Sequence, residues 1–441
     1  MANKSQALHR RRFLKSAGLI AGLAVASSHA NDRRNRAVAS PSEPSSRKKD
    51  KIRHVRAYII ESPRSDDGLP SPKEDVWTNT TLISSPMSIY PEYHDDRGSW
   101  GKNVLGRVIV EIEDDSGRVG VGISSCGVPG AYIIEHHFKR FLLNQYVHDV
   151  EKLWDQMYRS SIHYGRKGLA IMAISAVDLA LWDLLGIQRQ EPVYAMIGGQ
   201  VRTEIPMYAT TPNPEYAKRM GFWGAKMPLS HGPADGREGL LKNVAIAEEA
   251  RSKVGDDFEL MYDCWMSLDV PYTIELAKML EPVRIKWLEE CLLPDDYDGL
   301  VDVRKAIKSC WLTTGEHEYT RYGFLELLKR HCVDVVQPDM TWCGGLTEAI
   351  KIANLARAYN VHVVPHVSAT YSYHFCAAQT NCPFSEFIIW GERGNKIEPV
   401  FRNLFRDEPM PENGRIKLPD KPGWGMTLNR NELNLQRPFP V

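Results

Sequence analysis

Two hydrophobic rhythms divide this chain. Before about residue 125, apolar and polar positions alternate. HVRAYIIESP, VLGRVIVEIED (104–114) and RVGVGISS (118–125) each read as a strand, and a Ser-Gly turn joins the last two into a hairpin. From Ala131 to Arg159 the period lengthens to that of a helix, and KGLAIMAISAVDLALWDLLGI (167–187) predicts a strongly apolar helix ending near a glycine. From Glu204 to about residue 390, short apolar runs alternate with amphipathic stretches at 239–253, 271–281, 321–331 and 346–358. EIPMYAT opens this series and seven further strand-like runs follow. Repeated strand-then-helix units predict a parallel sheet with helices outside, and eight of them suit a closed (β/α)8-type, TIM-like barrel.

The divisions follow from these rhythms. Residues 53–165 form a small α+β domain, 166–400 the α/β barrel, and the Pro-rich 401–441 a segment expected to pack back on the first domain. Within the first domain, 63–102 is Ser/Pro/Asp-rich and carries Trp77, Tyr90, Tyr93 and Trp100. A run of that length inside a folded domain is expected to be a lid or binding loop.

Composition narrows the classes. Lys+Arg and Asp+Glu both number 55, so no net positive field exists to hold nucleic acid. Residues 1–30 differ from the rest: Arg10-Arg11-Arg12-Phe13-Leu14-Lys15 precedes an apolar run from Ala17 to Ala26 and a small-x-small site, Ser28-His29-Ala30. That pattern predicts a twin-arginine signal exporting the protein to a bacterial periplasm, followed by a linker over 31–52. The apolar run is too short to span a membrane. Eight cysteines lack CxxC spacing, so buried thiols are expected, although an oxidising compartment permits one or two disulfides.

The chemistry collects at the ends of the barrel strands. Lys226, Asp263, Glu289, Glu316, Asp339, His366 and Glu386 close successive runs, at spacings of 37, 26, 27, 23, 27 and 20 residues. A barrel gathers such ends around one mouth. Asp263, Glu289 and Glu316 would sit on neighbouring strands about 4.8 Å apart, and three carboxylates that close stay ionised only around a cation. An oxygen-only set favours Mg2+. An aspartate beside a histidine fixes its tautomer, so Asp339 and His366 predict a general base. Glu386 can hydrogen-bond a substrate oxygen or take a proton. Lys226 can touch substrate or metal ligands, and His317 can be a polar wall or a second acid.

These residues, in the runs KMPLSHGPADG, MYDCWMSLDV, KWLEECLLPDDYDG, TTGEHE, QPDMTWCGGLTEA, VVPHVSATYSYH and PFSEF, resemble the enolase superfamily in its mandelate racemase subgroup. AISAVDLALWDLLG (173–186) and ENGRIKLPDKPGWGMTLNR are similar as well. Within the subgroup the similarity points to sugar-acid dehydratases of the L-rhamnonate type. The resemblance implies a capping domain over the barrel, Mg2+ on Asp263, Glu289 and Glu316, and Glu290 behind them. It further implies His366 as base with Asp339, Glu386 against an enediolate, Arg97 on the substrate, and a homo-oligomer acting on a small acid sugar. Two departures stand out. LPSPKEDV, before Trp77, lacks the subgroup's loop histidine, which leaves the identity of the sugar acid open. AKMP lacks a second lysine two residues after Lys226, which argues for one-base elimination over two-base racemisation. The alternatives are epimerisation or cycloisomerisation at the same site, or a non-catalytic sugar-acid binder.

Overall fold

In the computed structural model, residues 50–60, 76–95 and 104–440 are described; the export-signal reading of 1–30, most of 31–52 and Arg97 lie outside the described residues. Strands β1 (Ile52–Ile60), β2 (Val108–Asp114) and β3 (Val119–Ser124) form an antiparallel sheet in that order. The β2–β3 turn closes because the Asp114 carboxylate accepts from Ser116 N at 2.9 Å and Arg118 N at 3.0 Å, while Gly117 adopts φ +81°. At the other edge, Leu435–Gln436 pairs antiparallel with β1, so the end of the chain completes the first sheet.

The apolar helix Leu169–Arg189 lies across this sheet. Its composition would suit a membrane span, but 89% of its most apolar window is buried inside the protein. Two glycines on β3 allow the close approach. A Cβ on Gly120 would meet Ala180 O at 2.3 Å, and one on Gly122 would meet Ala176 O at 2.1 Å. The helix's few polar side chains are clamps. Asp178 accepts from Thr347 N at 3.0 Å and Thr347 Oγ1 at 2.5 Å, tying it to the barrel helix Gly345–Ala358. Asp183 accepts from Val121 N at 2.8 Å and Trp424 N at 3.0 Å, tying it to β3 and to the C-terminal segment.

The barrel has eight parallel strands: β4 (Ile205–Thr210), β5 (Gly224–Pro228), β6 (Glu259–Asp263), β7 (Trp287–Glu289), β8 (Trp311–Thr314), β9 (Val335–Val336), β10 (His362–Val363) and β11 (Ser385–Ile388). Neighbours follow the order β10-β9-β8-β7-β6-β5-β4-β11, so the eighth strand pairs with the first. This is the expected TIM-like barrel with an N-terminal α+β domain. Across the remaining seam, β10 meets the run before β11 through Val363 N and Asn381 O at 3.0 Å. Several of the outer helices begin on a side-chain cap: Asn213, Asp269 and Asp296 accept from Tyr216 N, Tyr272 N and Gly299 N.

Period-two alternation stacks the barrel interior in layers. The lower layer is apolar: Tyr208, Met261, Trp287, Val335 and Val364 cluster with Trp223, Trp311 and Phe384. Tyr208 packs edge-on against Trp287 at 5.1 Å. Two residues further along the same strands stand Thr210, Asp263, Glu289, Gln337, His366 and Glu386. The apolar layer therefore forms the floor of a polar layer. Lys226 and Glu386 were expected to end their strands, but Lys226 is the third of five residues in β5 and Glu386 the second of four in β11. Their long side chains reach the polar layer from inside the barrel.

Candidate active site

Lys226 stands at the centre of the polar layer with its side chain 1% exposed. Its Nζ lies 3.3 Å from Asp263 Oδ2 and 3.0 Å from Glu386 Oε1, and it hydrogen-bonds Glu289 Oε1. Acids from three strands thus share one ammonium. Burial opposes that charge, but Glu289, Glu386 and Asp263 hold the lysine pKa well above its usual value.

Carboxylate oxygens of Asp263, Glu289 and Glu316 come within 4.8 Å of one another, close enough to share one ion. Glu289 is further oriented by Gln337 Nε2 at 2.6 Å and Trp287 Nε1 at 3.1 Å. Burial pushes Glu289 up to about 8 although Lys226 opposes it. Burial likewise raises Asp263, with Lys226 opposing and Glu316 adding. The cage therefore holds more negative charge than one ammonium balances. A hard divalent cation fits both its oxygen-only donors and its charge.

His366 faces this cage. Its Nδ1 lies 2.6 Å from Asp339 Oδ2 and its Nε2 lies 3.4 Å from Glu316 Oε2. Because Asp339 accepts at Nδ1, the neutral imidazole carries its lone pair on Nε2. Burial disfavours the imidazolium, but Glu316 and Asp339 outweigh it and bring the pKa to about 10. Trp342 flanks the ring, with centroids 5.3 Å apart.

Glu386 accepts from Thr210 Oγ1 on one oxygen, while buried Oε2 has no hydrogen-bond partner among the described residues. Burial opposes its ionisation, but Lys226 and then His366 bring the pKa below the ordinary glutamate value. His317 stands at the edge of the cage, with Nδ1 3.6 Å from Glu316 Oε1. Its Nδ1 lies 2.8 Å from Glu290 Oε2, and its backbone N–H donates to Glu290 Oε1 at 3.3 Å. Burial lowers its pKa, Glu290 raises it more, and it reaches about 9.

Consecutive acids reach two targets here because the backbone twists after β7. Glu290 adopts φ +46°, and Trp265 and Met266 after β6 adopt φ +41° and +63°. Non-glycine residues in that region cost roughly 1–2 kcal/mol each. The reversal leaves Glu289 inside the barrel and aims Glu290 at His317.

The segment before the undescribed residues crosses the barrel mouth. Trp77 Nε1 donates to Ile389 O at 2.7 Å, Ser84 N to Leu229 O at 2.9 Å, and His94 Nε2 lies 2.9 Å from Asp235 Oδ1. Ser124 Oγ at the end of β3 donates to Thr341 O at 2.6 Å, beside Asp339.

The structure brings Lys226, Asp263, Glu289, Glu316, Asp339, His366 and Glu386 together, places His317 beside them, and does not describe Arg97. Thr210, Gln337 and Trp287 escaped the sequence reading. Gln337 and Trp287 precede a predicted site residue by two positions, so strand alternation was the available signal.

Known proteins are similar to this chain in sequence and fold. The mandelate racemase/muconate lactonizing enzyme N-terminal domain matches residues 96–198, and the enolase C-terminal domain-like family matches 214–432. An L-rhamnonate dehydratase of Saccharopolyspora erythraea is 50% identical over 390 residues, covering 88% of this chain and 99% of that protein. The crystal structure of L-rhamnonate dehydratase from Gibberella zeae superposes with a TM-score of 0.84 at 45% identity, over 90% of this chain and 100% of that one. A structure of the Gibberella zeae rhamnonate dehydratase complexed with Mg has a TM-score of 0.83 at 46% identity, over 88% and 97%.

Proposed function

The chain belongs to the mandelate racemase/muconate lactonizing enzyme family of the enolase superfamily, and from that premise we propose that it is a hydro-lyase dehydrating an aldonic acid of the L-rhamnonate type. The product is a 2-keto-3-deoxy acid, and Mg2+ is the cofactor. The observation that carries this reading is His366 Nε2 facing the Asp263–Glu289–Glu316 cage while Asp339 holds Nδ1.

Asp263, Glu289 and Glu316 would hold the magnesium ion, which as a Lewis acid stabilises charge developing on the substrate carboxylate. His366 Nε2 takes the proton α to that carboxylate. Asp339 keeps the imidazole in the required tautomer and compensates the imidazolium. Glu386 Oε2, which has no hydrogen-bond partner among the described residues, is assigned to the substrate oxygen that becomes part of the enediolate. The bond from C3 to its hydroxyl then breaks, and the proton on His366 leaves with that hydroxyl as water. The resulting enol tautomerises to the ketone. Arg97, three positions after His94 in the sequence, is assigned to the far end of the substrate. Docking of residues 76–95 across the mouth excludes water from the reacting centre.

A library of acid sugars, supplied with magnesium and scored for 2-keto acid, tests the assignment. L-Rhamnonate or a close stereochemical relative is expected to turn over. His366→Asn should abolish α-proton exchange with deuterated solvent and leave magnesium affinity within a few-fold of wild type. Exchange without loss of water from any substrate would move the reading to epimerisation.

A further inference from the structure

An ammonium carries one positive charge, and in this protein three carboxylates lie within 3.3 Å of that nitrogen. Lys226 meets Glu289 on β7, Glu386 on β11 and Asp263 on β6, while two of those acids also face the cation cage. The lysine side chain is 1% exposed, and so are those of Glu289 and Glu386. Without a positive charge between them, buried like charges at this spacing would force strands β6, β7 and β11 apart or force protons onto the acids.

We propose that Lys226 is a resident counter-ion: it holds the acid cage assembled in the protein without metal, and it competes with magnesium for Asp263 and Glu289. This rests on the magnesium reading above and assigns Lys226 a positioning role. Two consequences have opposite signs. In chelator, the ammonium keeps the barrel folded, so the fold does not depend on the cation. In magnesium, the same charge repels the incoming ion and occupies ligand oxygens, so it weakens metal binding. Competition of this kind frees lysine donors when the cation arrives, which couples loading of the site to release of groups facing the substrate.

Thermal unfolding and calorimetric magnesium titration of Lys226→Met separate this role from simple packing. In chelator the variant should melt several degrees below wild type, and its apparent magnesium Kd should fall by about tenfold or more as the repelling charge is removed. Lys226→Arg keeps the charge and should retain most of the chelator stability. A packing lysine would lower stability and metal affinity together, and that result overturns the proposal, as does an unchanged melting temperature in chelator. If Lys226→Met is insoluble in chelator but folds in magnesium, the proposal stands. If it folds in neither, adding Glu386→Gln removes part of the surplus charge and must recover folded protein; failure to recover overturns it. A wild type that shows no magnesium heat and no magnesium-dependent melting shift refutes the cofactor reading, while the chelator comparison still judges Lys226.

Discussion

Asp339 spends its two oxygens on different tasks: Oδ2 lies 2.6 Å from His366 Nδ1, and Oδ1 accepts both the N–H and the hydroxyl of Thr341 at 2.6 Å. The Thr341 pair decides which way an isosteric replacement would sit. In Asp339→Asn the amide oxygen satisfies Thr341, and the NH2 group is left facing Nδ1. Two donors then meet unless the imidazole moves its proton to Nε2, the atom that must be the base. We expect kcat to fall on the order of a thousandfold or more, as wrong-tautomer variants do. Magnesium affinity, measured by calorimetry, should stay near wild type. Activity within tenfold of wild type would show that the tautomer is set elsewhere.

His317 is the rival acid for the departing hydroxyl, and the mechanism in which His366 returns its own proton leaves His317 without that task. Nδ1 is committed to Glu290 at 2.8 Å, so only Nε2 remains to meet substrate. His317→Asn should therefore lower kcat by less than about tenfold, well short of the 10²–10⁴ carried by a true proton donor. Solvent-deuterium exchange at C2 should persist alongside elimination. Exchange that continues while water loss stops would transfer the acid role from His366 to His317.

Much of this site was legible because barrel geometry converts sequence spacing into proximity. Asp263, Glu289, Glu316, Asp339 and His366 sit at or just past the ends of β6 to β10, as strand-length spacing implies. Lys226 and Glu386 converge for a different reason, since they reach the site from within β5 and β11. The sequence also left open whether Lys226 meets substrate or acids. That depends on shear between strands, which sets Pro228 opposite Asp263 and Glu386 opposite Tyr208, and no linear pattern encodes it. Glu290 is similar: its aim at His317 depends on a left-handed backbone residue that glutamate rarely supplies.

The contact between the small domain and the barrel helix is open to a direct stability test. Gly122 lets the helix Leu169–Arg189 approach β3 until a Cβ would stand 2.1 Å from Ala176 O. Backbone cannot rotate away as a side chain can, so Gly122→Ala must push helix and sheet apart. We expect a loss on the order of 3 kcal/mol, at the upper end of overpacking costs. Urea unfolding should show it as a lower midpoint. A midpoint equal to wild type would mean the helix is free to shift.

Asp183, on the same helix, gives a pH signature. Burial raises its pKa from 3.8 to about 7, against the hydrogen bonds from Trp424 N and Val121 N. The unfolded chain therefore releases this proton near pH 4, while the folded protein keeps it until about pH 7. Between those values the folded state binds more protons, so the contribution of Asp183 to stability is full below pH 4 and is lost as pH rises to 7. Asp183→Asn has no proton to release. It does lose one acceptor, because the acid serves Val121 N on one oxygen and Trp424 N on the other. The variant should thus melt below wild type at pH 4, and the gap should narrow steadily toward pH 7. Other titrating groups are common to both proteins and cancel in the difference. A gap that stays constant or widens across that window would mean that Asp183 is already ionised in the folded protein at pH 4, with its two backbone donors outweighing burial.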